Sequence, residues 1–194
     1  MTEERAEARE HNDASVIRGN GIGELTEAHG RYEIECVGAD GKVKWREVIE
    51  NVVQTVGKNL ALDTFLAGSA YTVTGPYMGL ISSISYTAVA AGDTMASHAG
   101  WLEAGGANAP TYSGNRKTAT WTAASAGAKA LSAALSFGIT SSGTVKGAFI
   151  VYGSGALNTK DNTAGVLWSA GTFSTGDKAV ANGDTLNVNY STSL

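Results

Sequence analysis

Cysteine occurs once in this 194-residue chain, at Cys36, so no intramolecular disulfide can form and the sequence fits assembly in a reducing compartment. Proline is almost as scarce, with Pro76 and Pro110 alone. No apolar run approaches about 18 residues, which leaves no candidate transmembrane helix and no expectation of a membrane partner. Basic charge is not in excess either. The net charge is −4, and no cationic face is expected to meet nucleic acid. The N-terminus is acidic and polar, so a signal peptide is not expected.

What charge there is sits at the front. Residues 1–69 carry 13 acidic and 8 basic side chains, net −5, and residues 70–194 carry 5 acidic and 6 basic, net +1. The body is instead rich in Ala, Gly, Ser and Thr, with 25 glycines over the whole chain, a composition that suits short strands joined by tight turns. Residues 1–30 read as a flexible N-terminal arm. They lack an apolar stripe, and their four-residue pairs, Glu3 with Glu7 and Arg5 with Arg9, are like-charged. The isolated apolar residues Val16, Ile17, Ile22 and Leu25 are the arm's candidate anchors on a neighbouring surface.

Residues 31–194 read as a β-sandwich body. Leu186, Val188, Tyr190, Thr192 and Leu194 alternate with Asn187, Asn189, Ser191 and Ser193, the period of two of a half-buried strand. Residues 31–52 read as a hairpin about Asp40-Gly41, with Tyr32, Ile34 and Cys36 on one face and Glu33 and Glu35 across from Lys42, Lys44 and Arg46. Thr55–Leu66 is the best helix candidate, placing a helix near 55–67 with Gly68 as its stop; its few polar residues predict that it lies against the sheet. Further strands are expected over 77–83, 118–124, 131–139, 145–152 and 166–173, about eight in all, with 104–115 as a long loop. The expected class is mainly β: a jelly-roll-like antiparallel β-sandwich with one short helix and an extended N-terminal arm.

Polar constellations are few. The densest, DTMASHAGWLE over residues 93–103, holds Asp93, His98 and Glu103, but gaps of five residues cannot aim three ligands at one ion from a single helix. Asp93 or Thr94 as N-cap of a one- to two-turn helix, Trp101 packed into the body and His98 at the rim account for it structurally. Cys36, facing with Tyr32 and Ile34, reads as a small buried hydrophobe. The glycines of residues 19–30 make no phosphate cradle, having neither a preceding apolar strand nor the Lys-Ser/Thr end such a loop needs. Arg116 and Lys117, beside Tyr112, can touch an acidic partner, against the plainer reading of an exposed loop with two solvated bases. No catalytic, cofactor or metal residue is assigned.

The segment 93–103, followed by Tyr112, Arg116-Lys117 and Trp121, resembles a recurrent pattern of small accessory virion proteins of tailed bacteriophages. In that pattern an apolar helix with an Asn-Leu-x-Leu-Asp-like core, here residues 59–63, precedes a glycine-rich strand, here residues 77–81. The end NGDTLNVNYSTSL is similar to the C-terminus of those proteins. The resemblance covers about residues 50–194. It implies a capsid cement or decoration protein, or a piece of tail or fibre, and carries over no catalytic residue. The expectation is therefore a non-enzymatic structural protein that binds the outside of a phage capsid and stabilises the shell. Its partners would be the major capsid protein and further copies of itself, as a dimer or trimer. No cofactor is expected, and the protein would be made in the host cytoplasm and reside on the capsid surface. The alternative is a tail-fibre or baseplate-associated protein that binds a glycan, with Tyr71, Tyr77, Trp101, Tyr112 and Trp168 as groove candidates. A hydrolase is disfavoured, because no paired carboxylates or Ser/His/Asp set stands out.

Overall fold

The first hairpin sets the frame of the sheet. In the computed structural model, which describes residues 28–66 and 74–193, β1 (His29–Val37) and β2 (Val43–Val53) pair antiparallel about the Asp40-Gly41 turn. Gly41 takes φ 77° there, a left-handed conformation that glycine adopts without strain. Burial alternates down β1 as expected, with Tyr32, Ile34 and Cys36 inside. Glu35 lies opposite Arg46 and pairs with it at 2.5 Å. Glu33 departs from the expected pattern: it faces Val48 across the hairpin and accepts from Arg31, its neighbour on the same outward face. Most of the expected arm, with Val16, Ile17, Ile22 and Leu25, lies outside the described residues, as do Gly68 and Tyr71.

The terminal strand β11 (Thr185–Ser193) lies on the other side of β1, with Val188 opposite Ile34 and Tyr190 opposite Tyr32. Leu186, Val188 and Tyr190 are buried in the order that the alternation predicts. Between β2 and β11 in the chain come α1 (Thr55–Leu66), β3 (Tyr77–Ser82), β4 (Leu102–Glu103), β5 (Lys117–Thr118), β6 (Ala128–Ala130), β7 (Leu135–Gly138), β8 (Gly143–Tyr152), β9 (Val166–Thr172) and β10 (Lys178–Val180). The main path across the sheet runs β4-β3-β8-β9-β2-β1-β11-β6, with β10 beside β8, β5 beside β3 and β7 beside β11. All the strand pairs are antiparallel. Bridges between Tyr112 and Ile139 and between Trp121 and Leu131 draw its two ends together, so the sheet closes on itself as a sandwich-like body. The architecture is thus the mainly β antiparallel arrangement expected, with eleven strands among the described residues where about eight were counted.

β8 explains the longest apolar run. Ala148 and Ile150 enter the main core with Tyr32, Ile49, Phe137 and Val188, while Phe149 and Val151 enter a second core with Met95 and Trp101. A strand covered on both faces has no polar side to alternate with. The cover over that second face is the segment between β3 and β4, and here the expected short helix is absent. Residues 91–100 form turns with a bridge between Thr94 and Ser97. The carboxylate of Asp93 does not cap a following turn: it accepts from the Ala90 N–H at 2.9 Å and the Trp101 indole N–H at 3.0 Å. Trp101 is fully buried as expected, and His98 stacks on it at 3.9 Å between ring centroids.

The strand expected over 131–139 is shorter, β7 alone, and a separate short strand, β6, precedes it. β6 ends with Ala130 opposite Ser191 and β7 begins with Leu135 opposite Val188, five residue steps against three on β11. The two surplus residues are taken up in the stretch Ser132 to Ala134, which is exposed. Among the described residues, no helix is long and apolar enough to cross a membrane.

Candidate interaction site: an aromatic groove beside the helix

α1 leaves β2 through Gln54, whose N–H donates to the carbonyl of Trp168 on β9 at 2.9 Å. Gly57 then lets the helix approach β9 closely: a Cβ there would stand 3.1 Å from the Trp168 ring and 3.2 Å from its backbone. The helix therefore lies against the sheet, with Leu60, Ala61 and Thr64 forming one wall of a groove whose floor is Trp168 and Tyr152. Thr192 of β11 and Ala128 and Lys129 of β6 form the other wall. The volume of this part is about 420 Å³, and it continues past Trp168 into about 260 Å³ bounded by Pro76, Trp121 and Ile150. Packing fixes the aromatic rings. Trp168 meets Tyr152 edge-on at 5.7 Å, and Trp121 meets Tyr190 edge-on at 5.9 Å.

The polar groups around the groove are engaged within the chain. The Trp168 indole donates to Tyr190 Oη at 3.1 Å, and the Thr64 hydroxyl donates to Leu60 O at 2.8 Å. The Thr192 hydroxyl donates to His29 O at 2.8 Å and Lys129 Nζ to Thr122 O at 3.0 Å. What remains for a ligand is an apolar, aromatic surface.

The loop residues singled out from sequence lie elsewhere and inside. Arg116 is 2 % exposed and grips Glu103 with two hydrogen bonds of 2.9 and 2.6 Å, while its other donors reach Leu157 O and Asn162 O. The acidic partner that Arg116 suggested is thus a residue of its own chain. The Asp161 N–H adds a third bond to Glu103 at 2.8 Å. Burial pushes the Glu103 carboxyl above its ordinary value, against the pull of Arg116 and that N–H. Tyr112 is buried as well, crossing Phe137 edge-on at 5.0 Å, and desolvation drives its hydroxyl far above the usual tyrosine range. Lys117 is half-buried, donates to Ser113 O at 2.9 Å and lies over the rings of Tyr112 and Phe137. Arg116 and Tyr112 are thus buried against the body, and Lys117 alone of the three keeps part of its side chain at the surface.

Residues Asp93, His98 and Glu103 do not converge. The first two attach to opposite ends of Trp101, the ring N–H and the backbone carbonyl, and Glu103 turns to Arg116. Among the described residues, no three His, Cys, Asp or Glu side chains stand where they could share a metal ion. Of the five aromatic groove candidates, Trp168 lines the groove, Trp101 and Tyr112 are buried, and Tyr77 packs against the second core. Trp121 and Tyr152 were missed. Each sat in an expected strand, and only the chain's return past α1 places them together. No family model, curated protein or solved structure matches this chain.

Proposed function

We propose that this chain is an accessory structural protein of a phage virion, which binds the outside of the capsid as a cement or decoration protein and stabilises the shell. The observation that carries the reading is how the polar side chains are spent. Asp93, His98 and Glu103, the densest polar set in the sequence, and Arg116 with them, hold loops onto a sandwich-like body. Among the described residues, the groove beside α1 offers an apolar surface for recognition. Such a protein stabilises by repetition. Modest interfaces of roughly 800 Å² per partner gain avidity when multiplied around a symmetric shell. The major capsid protein is the partner in this reading, and a dimer or trimer of this chain is the working unit. Electron microscopy of particles that carry the protein tests it: density for the body on the outer capsid face is the expected result, and density confined to the tail overturns it.

A second reading, a tail-fibre or baseplate protein that binds a glycan, draws on Trp121, Tyr152 and Trp168, since flat aromatic faces suit the apolar faces of sugar rings. Its weakness is the shortage of unengaged hydrogen-bonding groups around those rings. Specific retention on a glycan array, lost in Trp121→Ala, would favour it.

A further inference from the structure

The groove offers a peptide more than it offers a sugar. Its hydroxyl and indole groups already bond within the chain and the Lys129 ammonium spends one of its three donors on Thr122 O, so an occupant gains mainly from apolar burial. The nearest chain that could supply apolar side chains is the chain itself. β1 begins at His29, and the carbonyl of His29 accepts from Thr192, one of the groove's wall residues. Leu25 is four residues upstream of His29, and four residues span at most about 14 Å even when fully extended. The groove wall at Thr192 thus lies within the span that four residues can cover from His29. In the run Gly21 to Ala28, Ile22 and Leu25 are the two large apolar residues, spaced by three. Glu24 and Glu27 flank Leu25, and the basic Lys129 stands on the groove wall.

We propose that the groove between α1 and the β6–β11 edge seats Ile22 and Leu25 of this chain's own N-terminal segment. A tether this short gives an effective concentration in the range of roughly millimolar, which favours the segment over a free second copy. The assignment separates the segment into two parts. Ile22 and Leu25 latch to the body, and everything ahead of them, including Val16 and Ile17, is left to reach other partners. It does not depend on the virion reading, and it fails or stands apart from it.

The test uses the full-length chain with a benzophenone photo-crosslinker at position 25, mixed with isotope-labelled copies so that crosslinks within and between chains separate by mass. The expected result is a crosslink within one chain to α1 or to the Tyr152 and Trp168 peptides. Ala61→Glu, which puts a charge on the groove wall, should lower its yield about tenfold, the smaller end of what exposing one leucine does to an equilibrium. Leu62→Glu, on the exposed side of the helix, should leave the yield unchanged. Crosslinks scattered over the surface, crosslinks mainly between chains, or a yield indifferent to Ala61→Glu overturn the proposal. Should Ala61→Glu fail to fold, Leu25→Ser replaces it: acrylamide quenching of tryptophan emission should rise, and unchanged quenching overturns the assignment.

Discussion

At the scale of single residues, stability rests on ionic groups taken out of water. Glu103 and Arg116 are both almost fully buried, and their charges are matched by two mutual bonds and by loop backbone groups. Removing one partner leaves the other charge uncompensated, which costs about 3–5 kcal/mol. Glu103→Gln and Arg116→Met should each lose about that much in urea unfolding, and the double variant should lose less than the sum. A second site has an opposite dependence on its surroundings. Burial opposes ionisation of Asp184, but the hydrogen bonds from Lys44 and from the Ala181 N–H prevail and hold its carboxyl below the ordinary 3.8. A carboxyl so depressed stabilises the fold at all pH above its unfolded value, and that stabilisation disappears as pH falls through the lower folded value. Melts between neutral pH and pH about 2 should therefore show Asp184→Asn losing most at neutral pH and progressively less below 3.8. A constant difference at every pH would dismiss the linkage. Asp184 also faces Cys36 at 3.7 Å, and burial with that charge pushes the thiol up to about 11. With so little thiolate, Cys36 should not react with a disulfide reagent at pH about 8 until the chain is unfolded.

Among the elements, β11 joins three strands, β1, β6 and β7, as many as β3 and β8 each join. It also buries Leu186, Val188 and Tyr190, and Leu186→Ala alone should cost about 2–5 kcal/mol. Deleting residues 186–194 should abolish cooperative thermal unfolding; a soluble truncation that melts sharply would show that the core does not need this strand. This element was legible in the sequence because its burial is one-sided: alternation survives where one face is wet. The hairpin about Asp40-Gly41 and the helix Thr55–Leu66 were legible for similarly local reasons, a turn dipeptide and a glycine-poor apolar stretch. The rest depended on distant partners. Arg116 looks like a surface base until the chain brings Glu103 to it, and Asp93 looks like a helix cap until the Trp101 ring takes its carboxylate. The exposed stretch Ser132 to Ala134 has no sequence signal, since the pattern from Leu131 to Ile139 continues straight through it. The groove was legible only through Trp168, because Trp121 and Tyr152 come from separate segments of the chain.

Over the whole molecule, charge and apolar surface are divided between the two ends of the chain's work. Residues 28–194 hold 11 acidic and 11 basic side chains, so the body is formally neutral, and the net charge of −4 belongs to residues 1–27. A neutral body can pack closely beside copies of itself without desolvating many ions, whereas a charged segment is better suited to a polar partner surface. If the latch at Ile22 and Leu25 and the reach of the preceding residues are separate functions, they can be cut apart. Deletion of residues 1–20 removes Val16 and Ile17 and keeps the latch, so its melting temperature should match that of the full chain. On the proposed virion reading, its occupancy on capsids should nevertheless fall sharply, because each lost contact would be multiplied over every copy on the shell. The Ile22→Ser/Leu25→Ser pair should do the reverse to the body, lowering the melting temperature of the isolated protein by a few degrees as about 1–3 kcal/mol of apolar burial is lost. Equal capsid occupancy for the 1–20 deletion and the full chain would place recognition on the body, and the groove or the sheet faces would then have to supply it.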